Sequence, residues 1–319
     1  MTGKHPLAEL VPHQARVLWV ASSGGHFAQL MRIANAADAA PESDWVTFEN
    51  PQTLGALEGK RAHFVDYVAP RDVRNAAKAA RWAAGHLRNE KYDLCISTGA
   101  ALAVSVLPIA ASRGIDTVYV ESISRVDGPS LSGKLLRRVP RIRTYTQHER
   151  WSSEKWQWKG SILDSWAAEE RRTRREPRRF FVTLGTIRPY RFDRAIDAIL
   201  AVLEPGDEVT WQVGCSERDD LPGSVHRELT PADFRKLAEE SDVTITHAGV
   251  GSILELLDMG ISPAIVVRSQ AHAEHVDDHQ RQIAEAMTSR GLAFELDLAR
   301  PSRETFVRSA SCGAVTVPA

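Results

Sequence analysis

No stretch of this sequence approaches the ~20 consecutive apolar residues that a membrane-spanning helix needs. Residues 1–15 carry no apolar segment of the secretory type, so the expectation is a cytoplasmic chain that at most lies on a membrane. Cysteine is scarce. Cys95, Cys215 and Cys312 are scattered without metal-ligand spacing, which points to reduced thiols and away from a disulfide framework. Net charge is lacking as well: 40 Lys and Arg stand against 41 Asp and Glu, which gives no general case for a nucleic-acid partner. No Gly-rich segment completes a phosphate loop with Gly-Lys-Ser/Thr or a full G-x-G-x-x-G. ATP hydrolysis and plain dinucleotide binding are therefore disfavoured.

What is present is a folded-protein composition, 43% hydrophobic and 25% charged, in 319 residues, room for about two domains. Charge is uneven. Residues 121–180 hold 15 Lys/Arg against 8 Asp/Glu, together with Trp151, Trp156, Trp158 and Trp166. Basic charge mixed with Trp suits an anionic membrane surface or anionic ligands, although a solvated Arg-rich face is the plainer reading for any single residue.

Short apolar runs alternate with helical patterns throughout, the signature of parallel βα units. Strands are expected at 16–21, 44–48, 62–67, 92–97, 116–121 and 141–146, with helices at 25–37, 71–89, 100–112 and 131–138. The segment 167–178 is charged, nearly devoid of apolar residues and broken by Pro177, and reads as a linker. A second series follows, with strands at 179–185, 208–213, 242–247 and 263–267 and helices at 190–203, 231–240, 252–259 and 276–290. Thr230 and Pro231 suit a helix start, and Gly291 a helix stop. The fold class is α/β: residues 1–166 as one Rossmann-like doubly wound domain and 179–319 as another, expected to face a cleft with one substrate held by each. In such sheets ligands sit beyond the carboxyl ends of the strands.

Four Gly-bearing loops fall at such ends: "SSGGH" (22–26), "STGAA" (97–101), "TLGT" (183–186) and "HAGVGS" (247–252). Each can present backbone N–H groups to an anion. A single one means little, since such turns use Gly for steric reasons. Ser252 and Glu255 form S-x-x-E, which by spacing alone is a helix capping box. His275 and His279 stand four apart, but no third ligand joins them into a metal site. His26, near a helix start, would have its imidazole kept neutral by the helix dipole and able to take a proton, or would simply pack.

The block 246–293, "THAGVGSILELLDMGISPAIVVR…EHVDDHQRQIAEAMTSRGLA", with "FVTLGT" at 181–186, resembles the donor half of glycosyltransferase family 28. The motifs "SSGGHFAQL", "DLCISTGAALAVSVLP", "YVESISRVDGPSLSGKLL" and "YTQHERW" resemble the acceptor half of its two-subunit dolichol-pathway and bacterial exopolysaccharide members, here fused in the order seen in MurG. The resemblance implies a GT-B fold and an inverting transfer from a UDP-sugar, with no metal or other cofactor, to a polyprenyl-diphosphate-linked acceptor. A soluble small-molecule acceptor and a non-catalytic nucleotide-sugar-binding role are the alternatives, and a UDP-sugar epimerase is a minor rival. By motif, His26 is implied as the base. Gly24, Gly25, Gly99 and Glu121 fall on the acceptor side. Gly185, Thr186, His247, Ala248, Gly249, Gly251 and Ser252 fall at the donor diphosphate, Glu255 at the ribose, and Asp278 and Gln280 at the donor sugar or diphosphate. The sequence departs from the family at "GISP" (260–263) and at Val267-Arg268, where Gly-Lys-Pro and Pro-Arg are usual. The helix 71–88 and the basic 121–180 segment would supply a peripheral membrane contact.

Overall fold

The computed structural model describes residues 6–317, apart from 70–71, 172–175, 187 and 276–278. The chain divides into two compact units, one ending at Ser165 and the other spanning Trp166–Val317.

The first unit is a seven-stranded parallel sheet in the order β3-β2-β1-β4-β5-β6-β7. The strands are β1 (Val17–Ala21), β2 (Asp44–Phe48), β3 (Arg61–Val65), β4 (Leu94–Gly99), β5 (Asp116–Val120), β6 (Ile142–Thr146) and β7 (Gln157–Trp158). Every residue of β1, β2 and β4 is buried, as parallel strands covered on both faces must be. The helices are α1 (Gly25–Ala36), α2 (Pro51–Ala56), α3 (Val73–Asn89), α4 (Ala101–Ser112) and α5 (Leu131–Leu136). Helix α2 starts on a capping box, with the Asn50 side chain accepting from the Thr53 amide and Pro51 in the first turn. Helix α3 buries Ala79, Ala83 and Leu87, spaced four apart along one face. At the amino ends of the strands, buried Asp44 accepts from Arg61 Nε (2.8 Å), Arg16 Nη2 (3.0 Å) and the Tyr92 hydroxyl (2.7 Å). These bonds tie the starts of β1, β2, β3 and β4 together and leave the opposite ends for function.

The second unit repeats the plan with a six-stranded parallel sheet, β11-β10-β9-β12-β13-β14. Its elements are β8 (Trp166–Glu170), β9 (Arg179–Thr183), α6 (Asp193–Leu200), β10 (Glu208–Gln212), β11 (Ser224–His226), α7 (Pro231–Glu240), β12 (Val243–His247), α8 (Val250–Asp258), β13 (Ala264–Val266), α9 (His279–Thr288), β14 (Phe294–Glu295), α10 (Glu304–Ala310) and β15 (Cys312–Thr316). Helix α7 is capped by Thr230, whose hydroxyl accepts from the Asp233 amide at 3.1 Å. Phe180, Phe192, Trp211 and Phe306 fill the core on one face of the sheet, each contributing about 1.5–3 kcal/mol by burial.

Part of the expected linker is a strand. Residues 166–170 form β8, paired antiparallel with β15, with Glu170 opposite Cys312 and Trp166 opposite Thr316. The charged side chains of β8 point to solvent, which is why composition alone reads as linker.

In both sheets the strand order reverses direction once, between β1 and β4 in the first and between β9 and β12 in the second. A doubly wound sheet offers its ligand crevice at this switch point, beyond the carboxyl ends of the strands.

Candidate active site

At each switch point a histidine from one loop lies against a glycine of the neighbouring loop. In the first unit β1 runs into the turn Ser22–Gly24 and then α1. Gly24 is the N-cap, at φ +79°, a backbone that side chains rarely adopt. His26, in the first turn, reaches across to β4. Its Nδ1 is 2.7 Å from the Thr98 carbonyl oxygen, and the Thr98 hydroxyl donates to the His26 carbonyl at 2.6 Å. A carbonyl only accepts, so Nδ1 carries the proton and Nε2 keeps its lone pair. The ring leaves no room on Gly99, where a Cβ would stand 2.8 Å from His26 Nδ1. Burial, then the nearby Arg125 charge, lowers the His26 pKa against the raising effect of the Thr98 bond, so the imidazole is neutral near pH 7. Burial is the leading cause.

In the second unit β12 ends at His247 and α8 begins after Gly249. The His247 ring lies against Gly185, where a Cβ would be 2.7 Å from Cε1, and against Gly249, where a Cβ would be 2.2 Å from Nε2. Burial, with the Arg268 charge second, lowers its pKa to about 3. His247 Nδ1 is buried without a hydrogen-bond partner. The helix geometry also leaves the amides of Val250, Gly251 and Ser252 without intrahelical acceptors, since the first backbone bond of α8 runs from Ile253 to Gly249 (3.1 Å). Amides without intrahelical acceptors at the positive end of a helix, beside a histidine and the Gly185–Thr186 turn, suit a phosphate group.

Residues 180–295 match the family model described as the glycosyltransferase family 28 C-terminal domain. The second unit therefore carries a glycosyltransferase family 28 C-terminal domain, and the chain is a glycosyltransferase. No curated protein matches the chain by sequence. Among solved structures, it is similar to MurG of Acinetobacter baumannii, at 16% identity over 91% of this chain and 88% of that one, with a TM-score of 0.56. It is also similar to the glycosyltransferase SnogD of Streptomyces nogalater, at 18% identity over 94% and 93%, with a TM-score of 0.53. UDP-GlcNAc 2-epimerase of Methanocaldococcus jannaschii shares the fold too, at 10% identity over 92% and 91%, with a TM-score of 0.56. These similarities establish the GT-B fold of paired Rossmann-like units. It is the family match that separates transferase from epimerase.

The transferase uses its other expected site residues unevenly. Ser252 is not the cap of α8, because the helix begins at Val250 with Gly249 as N-cap; the S-x-x-E spacing is therefore not a capping box. Glu255 is partly exposed and pairs with Arg235 Nε of α7 at 2.9 Å. Ala248 is buried and spends its amide on the Val266 carbonyl (3.0 Å), so it sets the loop's course rather than offering a donor. Gln280 is also buried, and its Oε1 accepts from the Arg268 amide at 3.2 Å. Asp278 lies outside the described residues. His275 lies outside α9, so it shares no helix face with His279. No metal-binding group of three or more His, Cys, Asp or Glu occurs among the described residues.

Glu121, expected as an acid of the acceptor pocket, is 1% exposed, and its carboxylate is occupied by the protein itself. Oε1 accepts from the Tyr119 hydroxyl (3.0 Å) and the Ser122 amide (3.1 Å), and Oε2 from the amide (2.8 Å) and hydroxyl (2.9 Å) of Ser130. It holds the 122–130 loop and the cap of α5 in place. Burial raises its pKa against those bonds. The motif reading also missed two glutamines. Buried Gln29 donates to the Gly25 carbonyl (3.0 Å) and Ser122 Oγ (3.0 Å), while its Oε1 accepts from the Ile123 amide (3.0 Å) and Gln147 Nε2 (2.9 Å). Gln147 donates also to the Glu121 carbonyl at 2.9 Å. Both lie inside the quoted motifs; Gln29 stands out only as an uncharged polar side chain in α1, and Gln147, just past β6, gives no such signal.

Beyond this network a cavity of about 420 Å³ is lined by Lys134, Arg137, Arg138, Trp151 and Trp156, with Asp127, Gly128 and Pro129. Leu131 and Leu135 of α5 are 63% and 43% exposed. No described helix is long and apolar enough to cross a membrane.

Proposed function

We propose that this glycosyltransferase inverts configuration as it moves a sugar from a UDP-sugar to a polyprenyl-diphosphate-linked acceptor in cell-surface polysaccharide assembly, with His26 as the general base. The observation that carries the reading is the bond from His26 Nδ1 to the Thr98 carbonyl. It fixes the tautomer and turns Nε2 into the proton acceptor. His26 Nε2 takes the acceptor hydroxyl proton, and the oxygen attacks the anomeric carbon. The bond from that carbon to the diphosphate oxygen breaks on the opposite face, and UDP leaves with the electron pair. The α8 amides and His247 would meet the negative charge growing on the diphosphate, with Gly185 and Thr186 alongside, so that no metal is needed. Glu255 would accept from the ribose diol.

The lipid-linked acceptor is supported by the basic, Trp-lined cavity beside exposed leucines on α5, which suits a diphosphate at an anionic membrane surface. Helix α3 supports it less: its outward face carries Arg74, Lys78, Arg81 and Arg88 but only Val73 as a large apolar group.

The purified chain, given UDP-GlcNAc, UDP-Glc, UDP-Gal and UDP-GlcA, should glycosylate a polyprenyl-diphosphate-linked sugar. Transfer only to a lipid-free acceptor would replace the acceptor assignment. UDP binding without transfer to any acceptor would make the chain a non-catalytic partner.

A further inference from the structure

Arg268, directly after β13, is 1% exposed, yet its guanidinium is shared among backbone carbonyls and meets no carboxylate in its described contacts. Nη1 donates to the carbonyls of Tyr190 (3.1 Å), Arg191 (3.4 Å) and Glu274 (2.9 Å), and Nη2 to that of Leu184 (2.8 Å). The group lies 4.6 Å above the centre of the Phe192 ring, and Nε is buried without a partner. The Glu274 carboxylate is spent on Arg194, which grips both its oxygens at 3.1 and 2.8 Å. Among the described residues two guanidinium groups thus stand beside one carboxylate, and it is the Arg268 charge that is held out of water.

Burying an unmatched cation is expensive, and an apolar side chain of similar volume would fill the space at lower cost. Packing alone does not account for Arg268. Its location does. Leu184, which it holds, leads straight into Gly185 and Thr186. The charge also reaches the neighbouring loop: burial first, then Arg268, depresses the basicity of His247.

We propose that Arg268 is a positioning residue that supplies a fixed positive potential for the donor's diphosphate, acting through the Leu184–Thr186 turn and the His247 loop rather than by contact. The inference rests on the donor site described under the proposed function. It gives that site a preference for diphosphate charge that the nucleoside alone would not satisfy. Because the cation is held by backbone, it needs no rearrangement as the diphosphate leaves.

The test is calorimetry on the full chain with UDP, UMP and uridine, for the wild type, Arg268→Gln and Arg268→Lys. R268Q should weaken UDP roughly 30-fold, the effect of one charge through a medium of intermediate polarity. UMP should weaken less and uridine not at all, and R268K should restore most of the UDP affinity. Equal loss for UDP and uridine, with R268K no better than R268Q, would make Arg268 a packing residue and overturn the inference, as would unchanged UDP binding in R268Q. If R268Q does not fold, Glu274→Gln provides a test of opposite sign. Removing that carboxylate should tighten UDP several-fold and leave uridine alone, and unchanged or weaker UDP binding overturns the proposal. A wild-type chain that binds UDP no better than uridine would bring down the donor reading itself. Charge-indifferent variants of a chain that prefers UDP would bring down only the role of Arg268.

Discussion

The imidazole of His247 occupies the space that a side chain on Gly185 would need: a Cβ there would stand 2.7 Å from Cε1 and 2.8 Å from Nε2. The same relation joins His26 to Gly99 in the other unit, at 2.8 Å from Nδ1. In each sheet the histidine leaves one switch-point strand and the glycine the other, so the two central loops lock through a ring rather than through a loop-to-loop hydrogen bond alone.

Gly185→Ala should therefore do two separable kinds of damage. At φ +78° the new side chain costs about 1–2 kcal/mol of stability, read as a fall in Tm. Displacing His247 should also weaken UDP binding by about tenfold or more, read by calorimetry. A variant with reduced Tm and intact UDP affinity would place His247 outside the donor site.

His26→Ala should lower kcat by about 10²–10⁴ and leave UDP affinity unchanged. In the wild type, kcat/KM should fall on the acid side of a pKa below 6.5, because burial lowers the His26 value. The variant should lose that acid limb. A variant with normal turnover, or one that keeps the limb, removes His26 from the reaction.

Stability should follow the same two histidines. Each has a folded pKa below its ordinary 6.5, to about 3 for His247. Protons therefore bind the unfolded chain more readily. The stability this represents is complete above about pH 6.5 and is lost as the pH falls toward 3. The lowered carboxylates Asp44, Asp207 and Asp242 act only in a lower window, beneath their ordinary 3.8. Urea unfolding at stepped pH should show a decline that begins near 6.5 and is shallower in His247→Asn. A wild-type curve flat between pH 6.5 and 4 would contradict the burial of both rings.

Glu255→Gln should weaken UDP more than 2′-deoxy-UDP, since the proposed partner is the ribose diol. The loss should be about 1.5–3 kcal/mol, the scale of a hydrogen bond to a charged group. Because α8 is not capped by this residue, Tm should change little. Equal losses for the two nucleotides would return Glu255 to its ion pair with Arg235.

The alternation of strands and helices was legible because most of the longer strands are short runs rich in β-branched and aromatic residues, such as "DWVTF" and "EVTWQ". The short β7, β11 and β14 were not, since two or three residues make no periodic signal. Strand β8 stayed hidden because only Trp166 of its five residues is buried. Among site residues, the loop glycines and both histidines were visible as motif positions. What spacing could not tell was which polar groups face a ligand and which face inward. Glu121 and Gln280 are as polar as Glu255, yet both are consumed by internal bonds. Arg268 drew notice only through its neighbour, since Val267 stands where the family usually has Pro before the Arg. That its guanidinium bonds to backbone carbonyls and pairs with no carboxylate among the described residues is a three-dimensional fact.

The ribbon of β8 and β15 gives the chain a handle that sequence alone does not advertise. If the polypeptide were divided after Arg171, the N-terminal piece would carry away β8, while its register partners from Cys312 to Thr316 stayed with the other piece. Two fragments made separately would each lack the partner strand, so rejoining them would require that two-stranded sheet to form again.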